Sequence, residues 1–366
     1  MKILHLCPSF NNIIYAKLCD ELINEGLSLT AFSFLSRQSN LIPVHRDYCT
    51  YQRPFNDIDR LFFFLKEKKI MTMLIHSCNC EGFDIVHAHT LFVSGYIAYK
   101  LKKRYGIPYI VAVRNSDITI FYKYRFYLRS LGGKILKEAE SIVFLSPHAK
   151  NQLFSKYLKK TEVNELEKKT VIIPNGIDDY WHEHTRTQSK KFSGYNFIFW
   201  GDIDRNKNVV NSCKSLDKIV KQGQKVHFYV IGPCKDSSVL DIVKSYDFVE
   251  YLGKSDKETI CRYADSSSIY IMPSFSETFG LSYIEAMSQG LPIIYSKGQG
   301  PDGYFDKNSV GCAVDPNNIQ SICQGIEVIV GNYTQMSKNA INESYNFSWK
   351  SVAKTYKQLY KGIMGK

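Results

Sequence analysis

The sequence predicts an α/β protein built of two doubly wound, Rossmann-like domains, and three observations support this. A chain of 366 residues is long for one hydrophobic core and fits two domains of roughly 150–200 residues. Short apolar segments, mostly β-branched, alternate with helical segments along both halves, which favours parallel sheets covered by helices. In the second half, small residues follow the apparent strands, as at Gly201, Gly232, Gly253 and Ser274.

The first half contains predicted strands separated by candidate helices. The strands are Ile3–Leu6, Leu27–Phe34, Ile85–His87, Tyr109–Val113, Ile142–Leu145 and Val171–Ile173. Residues 14–25 have the spacing of an amphipathic helix. The apolar segment Lys2–Leu6 is too short for a signal peptide and is interpreted as a buried first strand. The charged stretch from Lys159 to Lys169 is expected to be a solvated loop or helix surface.

A domain boundary is predicted at residues 176–194. Pro174-Asn175-Gly176 marks a turn, and the run to Ser193 is polar without a clear period. The strand pattern then resumes at Phe197–Phe199, His227–Ile231, Val249–Tyr251, Tyr270–Met272 and Ile293–Tyr295. We therefore divide the chain into domains 1–180 and 181–345 and a C-terminal helix at 346–366.

The composition excludes several classes of protein. A hydrophobic content of 44% with 22% charged residues is that of a globular protein rather than a disordered one. No run of about 18 apolar residues exists, so a transmembrane helix is not expected. The ten cysteines include no C-x2-C pair, and Cys78-Asn79-Cys80 lacks partners at zinc-finger spacing. Scattered thiols without a signal peptide indicate reduced, structural cysteines of the cytosol.

Glu277 and Glu285 lie eight residues apart around the predicted start of a helix. A short apolar strand precedes them, and Ile284, Ala286 and Met287 give the helix a buried stripe. If the helix starts near Phe279, its first free N–H groups belong to Thr278, Phe279, Gly280 and Leu281. Free N–H groups and the helix dipole together favour an anion.

The two carboxylates would flank that anion site, one before it and one about two helical turns beyond it. This order suits a molecule that carries hydroxyls on both sides of a diphosphate, as a nucleotide sugar does. The carboxyl end of a strand is also where open α/β sheets bind ligands. The alternative is an ordinary strand–loop–helix unit with two surface glutamates.

Residues 273–292 resemble the E-x7-E segment of the family-4 retaining glycosyltransferases, which have the GT-B fold. Weaker matches follow the family's order at Asp84–Thr90, at Pro174–Asp178, at Gly201 with Lys207, and at Phe347-Ser348-Trp349. The resemblance implies an acceptor-binding first domain that faces a nucleotide-sugar-binding second domain across a cleft. It also implies that the last helix packs back toward the first domain, in an enzyme of the bacterial surface-polysaccharide type.

The resemblance implies roles for residues of the second domain. Glu277 would act at the sugar, Glu285 would accept hydrogen bonds from the ribose hydroxyls, and Lys207 would bind the phosphates. A surface lysine at a helix start is the alternative for Lys207. The family's usual arginine is replaced here by Asp202, and we hypothesise that Arg205 supplies the missing cation.

In the first domain, Arg114 stands where the family usually has a histidine. Arginine stays protonated and cannot act as a base, but it can bind a donor phosphate or an acidic acceptor. Asn115 and Asp117 are candidate partners of sugar hydroxyls, or else members of a turn that caps the next helix. Of His87 and His89, one is expected to be buried and the other, His89, to face the cleft.

We expect neither a metal nor a cofactor beyond the co-substrate, a UDP- or GDP-linked sugar. Asp202-Ile203-Asp204 has metal-ligand spacing but lies on the loop of the phosphate-binding lysine. His182 and His184 lie in the polar linker and are expected to be solvent residues. The loop Pro8–Ile13 replaces the family's Gly-Gly loop and is expected to be a weaker anion site.

The net charge of +12 is concentrated in the first half. Residues 1–180 hold 25 Lys and Arg against 17 Asp and Glu, a balance of +8, and the remainder holds 22 against 18, or +4. Residues 121–137 combine five basic residues and five aromatics with no acid, which suits an anionic membrane surface. The basic residues of 100–104 would extend this patch. An amphipathic helix with its aromatics in the core is the alternative, and no motif indicates nucleic-acid binding.

These observations together predict a retaining, metal-independent hexosyltransferase. It would move sugar from a nucleotide diphosphate to a saccharide, lipid-linked in the favoured version, during polysaccharide biosynthesis. It would work in the cytoplasm, at the inner face of the membrane. A sugar-nucleotide epimerase of the same fold and a noncatalytic donor-binding subunit are the alternatives. The donor base, the sugar, the linkage and the oligomeric state stay open at this point.

Overall fold

A computed structural model of the chain describes residues 1–8, 10 and 13–365. It divides into two compact units. The first comprises Met1–Leu145, Ala149–Asn175 and Trp349–Lys366, and the second comprises Ser146–His148 and Gly176–Ser348. The division at 175/176 lies at the Pro174-Asn175-Gly176 turn, and the last helix belongs to the first unit.

Thirteen strands are present in the described residues, and most of them are connected by helices. They are β1 (Lys2–Pro8), β2 (Ser28–Ser36), β3 (Cys49–Phe55), β4 (Ile85–Ala88), β5 (Tyr109–Val113), β6 (Ser141–Phe144), β7 (Thr170–Ile172), β8 (Tyr195–Trp200), β9 (Val226–Ile231), β10 (Val249–Gly253), β11 (Ile269–Ile271), β12 (Ile293–Ser296) and β13 (Gly311–Val314). Each predicted strand is present; Tyr109–Val113 has the predicted bounds, and the bounds of the other strands differ by at most two residues.

The helices alternate with these strands. They are α1 (Ile13–Asn24), α2 (Phe63–Ser77), α3 (Val93–Tyr105), α4 (Arg129–Glu138), α5 (Pro147–Tyr157), α6 (Lys160–Glu167), α7 (Asp179–Glu183), α8 (Val209–Lys221), α9 (Ser237–Lys244), α10 (Lys257–Ser266), α11 (Leu281–Ser288), α12 (Ile319–Gly331), α13 (Tyr333–Ser344) and α14 (Trp349–Met364). Short turns of 3-10 helix lie at Asp57–Leu61, Cys80–Gly82, Phe126–Leu128 and Tyr345–Phe347, and a π-helical turn lies at Asp117–Tyr122.

Each unit holds one sheet whose recorded strand pairings are parallel. Within the described residues, the first sheet has seven strands in the order β3-β2-β1-β4-β5-β6-β7, and the second has six in the order β10-β9-β8-β11-β12-β13. The strand order reverses between β1 and β4 and again between β8 and β11. Ligands bind at such switch points, outside the carboxyl ends of the strands. The fold therefore predicts one ligand site for each unit.

Helices cover both faces of the first sheet and bury its apolar side chains. On one face, Ile3 and Cys7 pack with α1 and with Val352 and Tyr360 of α14. On the other face, Leu4 and Leu6 belong to a separate apolar cluster. Because α14 completes one face of this core, the end of the chain is part of the first unit.

The polar linker is more ordered than the sequence suggested. It contains α7, whose Asp178 side chain caps the helix by accepting from the Tyr180 N–H at 3.0 Å. Trp181 is fully buried and stacks on Trp200 with ring centroids 5.8 Å apart. His182 was expected to be a solvent residue, yet it is half-buried and burial lowers its pKa. A single tryptophan thus anchors a segment that has no periodicity.

Two further findings concern the chain as a whole. In the part of the chain that the structure describes, no helix combines the length and the apolar character needed to cross a bilayer. All ten cysteines are free thiols, and six of them are buried. Burial raises the pKa of Cys213 to about 12, so this thiol behaves as a small apolar side chain.

Candidate active site of the second unit

The loops that follow β8 and β11 lie side by side at the switch point of the second sheet. Asn206 joins them, because its side chain accepts from the Ser276 N–H at 3.0 Å and donates to the Ser276 carbonyl at 2.9 Å. The Phe275 N–H donates to the Asn206 carbonyl at 2.9 Å. These three bonds fix the segment that carries Lys207 against the segment that carries Glu277.

Lys207 and Glu277 form an ion pair between the two loops. The Lys207 Nζ lies 2.6 Å from the Glu277 Oε2, and the two side chains are 22% and 15% exposed. The other carboxylate oxygen, Oε1, accepts the N–H of Thr278 at 3.0 Å. An ammonium group carries three N–H donors, so this pairing leaves two of them for another anion.

The helix that follows Glu277 begins two residues later than predicted. Gly280 is its N-cap, with a φ of 80°, and α11 begins at Leu281 rather than near Phe279. A Cβ at Gly280 would lie 2.5 Å from the Tyr283 ring, so the tight turn into α11 requires glycine. Among the described residues, none accepts a hydrogen bond from the N–H of Phe279, Gly280 or Leu281. These three donors are free to bind an anion.

Glu285 lies within α11, on the side that faces the end of β8. Its Oε2 accepts the indole N–H of Trp200 at 2.9 Å. Burial raises the pKa of Glu285, and the Trp200 hydrogen bond opposes that shift. Lys257, which pairs with Asp178 at 2.8 Å, also favours the ionised form. The carboxylate is therefore held in one orientation by an aromatic donor that the sequence did not reveal.

Arg205 pairs with an acid other than Glu277. It is 81% exposed, and its Nε lies 3.0 Å from an oxygen of Asp236, in the segment after β9. Asp202 is exposed, while Asp204 accepts the backbone N–H of Lys207 at 2.8 Å. In this arrangement the Arg205 side chain pairs with Asp236, and its proposed role at the donor stays a hypothesis.

Three further residues support the site and were missed in the sequence. Asn208 adopts a φ of 58° and donates to the carbonyls of Pro273 and Pro316, each at 2.9 Å. Gln299 accepts the Glu277 N–H at 3.2 Å, and the Gly300 N–H donates to the Glu277 carbonyl at 2.9 Å. For Gln299 and Gly300, the sequence did contain a signal. Two glycines flank Gln299 shortly after a strand, and other strand ends of this sheet also carry glycine.

In the first unit, Arg114 and Asn115 follow β5. Arg114 is half-buried, its Nε donates to the His89 carbonyl at 3.0 Å, and its guanidinium lies 5.9 Å from the centre of the Tyr15 ring. Asn115 is exposed. Both remain in reach of a ligand at the carboxyl end of this sheet.

Asp117 is not available to a sugar hydroxyl. It is buried, and its carboxylate accepts the N–H groups of Leu91 at 3.0 Å, Phe92 at 3.2 Å and Arg114 at 2.8 Å. Burial raises its pKa to about 6, and these three donors oppose the shift. The expected role as a sugar contact is therefore replaced by a structural one, because the carboxylate holds the loops after β4 and β5 together.

His89 was expected to face a cleft, and this expectation is wrong. His5, His87 and His89 are all fully buried on one face of β1 and β4. The rings of His87 and His89 stack with centroids 4.0 Å apart, the His5 Nδ1 lies 3.0 Å from the His89 Nε2, and the His87 Nδ1 lies 2.7 Å from the Tyr360 hydroxyl. Burial lowers the pKa of all three, that of His5 to about 3.

Among the described residues, these three histidines are also the one group whose ligand atoms are close enough to hold a metal. Asp202 and Asp204 do not belong to such a group. The loop Pro8–Ile13, with its predicted weak anion site, lies largely outside the described residues, because Ser9, Asn11 and Asn12 are among those not described.

Two family descriptions match the chain, one for each half. "Glycosyltransferase Family 4" matches residues 15–180, and "Glycosyl transferases group 1" matches residues 183–347. An uncharacterized glycosyltransferase of Methanocaldococcus jannaschii is 23% identical over 82% of this chain and 81% of the relative. The alpha-monoglucosyldiacylglycerol synthase of Acholeplasma laidlawii is 22% identical over 77% of this chain and 76% of the relative.

Solved structures match over nearly the whole chain. The apo form of the lipopolysaccharide outer core galactosyltransferase WaaB superposes with a TM-score of 0.76 at 15% identity, over 99% of both chains. Anabaena HepE in complex with UDP-glucose superposes with a TM-score of 0.66 at 13% identity, over 99% of this chain and 100% of the other. At these identities the likeness establishes the GT-B fold. With its two halves matched in order, the chain belongs to the group 1/family 4 glycosyltransferases.

Proposed function

We propose that the protein is a retaining, metal-independent hexosyltransferase that uses a UDP- or GDP-linked sugar. The observation that carries the proposal is the Lys207–Glu277 pair, 2.6 Å apart, beside the free N–H groups of Phe279, Gly280 and Leu281. A cation and three amide donors suit a diphosphate, and the adjacent carboxylate suits a sugar that becomes positively charged.

In the proposed reaction, the bond between the anomeric carbon and the phosphate oxygen breaks, and a bond from that carbon to an acceptor hydroxyl oxygen forms as the hydroxyl gives its proton to the leaving phosphate oxygen. The leaving diphosphate takes the electron pair, so the charge that develops there is the main cost to be offset. Lys207 and the amides at the start of α11 would stabilise that charge. The Glu277 carboxylate would favour the cationic sugar, in the way that carboxylates do in glycosidases.

Glu285 would bind the ribose of the donor. A carboxylate accepts from two neighbouring hydroxyls, and the Trp200 indole, 2.9 Å away, keeps this one in a fixed orientation. The structurally similar HepE forms a complex with UDP-glucose, which supports a hexose donor here. Arg114 and Asn115 are the proposed contacts of the first unit with the donor or the acceptor.

The proposed acceptor is a saccharide, lipid-linked in the favoured version, within polysaccharide biosynthesis. Two relatives support this choice, because one is named for a lipopolysaccharide core and the other for a diacylglycerol. An enzyme with such an acceptor would work in the cytoplasm, at the inner face of the membrane.

The test is release of nucleoside diphosphate from a panel of UDP- and GDP-sugars, with and without lipid-linked saccharide acceptors and with and without EDTA. We expect release from one donor that depends on the acceptor and is unaffected by EDTA, with the anomeric configuration retained in the product. An epimerase would convert the donor without any acceptor. A noncatalytic subunit would be stabilised by a donor and release nothing.

A further inference from the structure

Exposed apolar side chains are concentrated in two segments of the first unit, Ile58–Leu65 and Ile120–Tyr127. Among the residues that the structure describes, these sixteen positions hold nine of the twenty exposed large apolar side chains. Leu61 is 69% exposed, Phe62 60% and Phe126 73%. Soluble proteins seldom leave so many large apolar groups together without a partner.

The two segments form one surface, which we call the apolar patch. The Arg125 guanidinium donates to the Arg60 carbonyl at 3.0 Å, and the rings of Phe63 and Phe121 lie 6.2 Å apart. Phe63 lies 5.7 Å from the ring of Tyr96 in α3, and Phe121 stacks at 4.8 Å on Phe92, which directly precedes α3. The patch is thus built on packed elements rather than on a loose tail.

The aromatic side chains of segment 121–137, which the sequence analysis identified, are partly buried and partly exposed. Tyr122 is fully buried and packs against Phe92 at 5.2 Å, so the alternative of a core aromatic is correct for this residue. Tyr124, Phe126 and Tyr127 are exposed. The other half of the patch, Ile58–Leu65, lies far away in the sequence and has no basic-aromatic signature of its own.

Positive charge surrounds the apolar patch. Residues 57–69, 96–104 and 120–137 hold thirteen Lys and Arg against three Asp and Glu. None of the three acids is a free surface charge: Asp57 pairs with Arg60 at 3.3 Å, Asp59 pairs with Lys69 at 2.7 Å, and Glu67 is fully buried beside Lys66. Three more of these cations pair with acids outside the ranges: Lys102 with Glu140, Lys103 with Glu138 and Lys137 with Glu165. Thirteen cations against six acids leave a net charge of +7 around the patch.

A groove of about 560 Å³ lies beside the patch, between α2 and α3. Phe64, Met71 and Tyr96 form part of its apolar lining, and Lys68, Lys100 and Arg104 place cations around it. Among the described residues, no acid lies within ion-pair distance of Lys68 or Lys100. Apolar walls with cations suit an amphiphile that has a negatively charged head.

We propose that the apolar patch and its basic surroundings dock the protein on an anionic lipid bilayer. The exposed side chains would enter the headgroup boundary while the lysines and arginines face lipid phosphates. Each cation near such a surface strengthens binding by about fivefold. The inference deepens the proposed function, since it names the surface that would bring the enzyme to a lipid-linked acceptor.

A second copy of the chain is the competing occupant, and charge argues against it. A symmetric dimer through this surface would bring each basic rim against its own copy. The apolar patch would then be buried at the cost of repulsion between like charges. An anionic bilayer covers the same apolar groups and neutralises the rim.

The test is co-sedimentation of the full chain with phosphatidylcholine vesicles that contain 30% phosphatidylglycerol, compared with pure phosphatidylcholine vesicles. The apolar variant carries Leu61→Ser, Phe62→Ser and Phe126→Ser, and the basic variant carries Lys68→Glu, Lys100→Glu and Lys123→Glu. Ile42→Ser with Ile242→Ser, and Lys214→Glu with Lys225→Glu and Lys244→Glu, change exposed residues elsewhere. Thermal melting verifies that each variant is folded.

We expect binding to the anionic vesicles that falls at 0.5 M salt and is weak on neutral vesicles. The basic variant should lose about 100-fold in affinity, the apolar variant at least 10-fold, and the control variants should bind as the wild type does. Wild-type protein that stays in the supernatant would overturn the proposal, as would full binding by both test variants. A dimer in light scattering that the apolar variant converts to monomers would also overturn it. Because no donor is present, failure here is distinguishable from failure of sugar transfer.

Discussion

In the proposed reaction, Lys207 and Glu277 act as a pair. Each would be an ordinary side chain at a helix start if it stood alone, and their separation in the sequence is 70 residues. The loop contacts of Asn206 bring them together, and the carboxylate then neutralises one face of the ammonium while leaving two of its N–H groups available. The proposed site is therefore an anion-binding site that already contains a carboxylate.

Replacing Glu277 with Gln tests whether the negative charge of this side chain contributes to catalysis. The amide keeps the shape but removes the charge that favours a cationic sugar, so we expect kcat to fall by at least about 100-fold. The donor KM should change only severalfold, because the amides of α11 still bind the diphosphate. Acceptor-dependent release of nucleoside diphosphate gives both constants. Glu258→Gln, an exposed change on α10, is the control, and an equal loss in both variants would contradict the prediction.

Arg205→Ala tests whether this arginine replaces the one that Asp202 displaces. Its guanidinium is 81% exposed and pairs with Asp236, so we expect donor turnover to change by less than about threefold. A loss of tenfold or more would show that Arg205 leaves Asp236 and reaches the donor. Steady-state turnover at saturating acceptor provides the measurement.

At the residue scale, the sequence predicted functional residues well where they form one continuous motif. It predicted them poorly where their role depends on whether the side chain is buried. The Glu277-to-Leu281 segment is continuous, so its strand, glycine and helix could be identified together. His89 and Asp117 are polar residues at strand ends, which is also where functional residues lie. The ring of His89 packs against Tyr15 of α1 at 4.7 Å, and Asp117 accepts hydrogen bonds from the loop after β4. Neither contact is visible in the local pattern.

At the scale of elements, the turn into α11 determines what the site can bind. Its three free amides exist because Gly280 turns the chain at a φ of 80°. The edge strands β3 and β13 were missed in the sequence, whereas the central strands and the other two edge strands, β7 and β10, were found. An edge strand is covered less completely, and β3 contains Pro54, so the apolar run that identifies a central strand is weaker there.

Gly280→Ala should damage both stability and donor binding. A Cβ would lie 2.5 Å from the Tyr283 ring at a φ that alanine avoids, which costs about 1–3 kcal/mol. The strain would turn the amides away from the proposed anion site. We expect a melting temperature lower by several degrees and a smaller thermal shift with donor. Gly331→Ala is the control, because its Cβ meets open space; equal behaviour of the two variants would refute the prediction.

At the scale of the whole molecule, the C-terminal helix completes the core of the first unit over three neutral histidines. The His87 Nδ1 contacts the Tyr360 hydroxyl of α14 at 2.7 Å. Because burial lowers the pKa of each imidazole below the value in the unfolded chain, the unfolded state binds protons that the folded state does not. Stability is therefore lost as the pH falls below about 6.5.

Each of these histidines should contribute about 1.4 kcal/mol of lost stability per pH unit below 6.5. Glu67 and Asp117 act in the opposite direction, since burial raises their pKa to about 7 and about 6. The difference in pH slope between the wild type and a variant that lacks one histidine gives the contribution of that histidine. Urea unfolding between pH 7.5 and 5 should give His89→Gln a slope smaller than that of the wild type by about one proton. A slope in His89→Gln equal to that of the wild type would contradict the account.

The fold of the whole chain could be predicted because short apolar segments alternate with helical segments along both halves of the sequence. The apolar patch could not, since Ile58–Leu65 and Ile120–Tyr127 meet only after α2 and α3 pack. The aromatic and basic residues of segment 121–137 indicated a surface in the sequence. Composition does not show that Tyr122 is buried while Phe126 is exposed.

The most direct test of the central claim, that the loops after β8 and β11 bind a nucleoside diphosphate, is isothermal titration calorimetry with UDP and GDP. We expect one of the two nucleotides to bind the wild type at a single site. Lys207→Ala should weaken that binding by about 10- to 100-fold, and Lys214→Ala, an exposed change on α8, should leave it unchanged. Equal affinity in the wild type and Lys207→Ala, or no binding of either nucleotide, would contradict the claim.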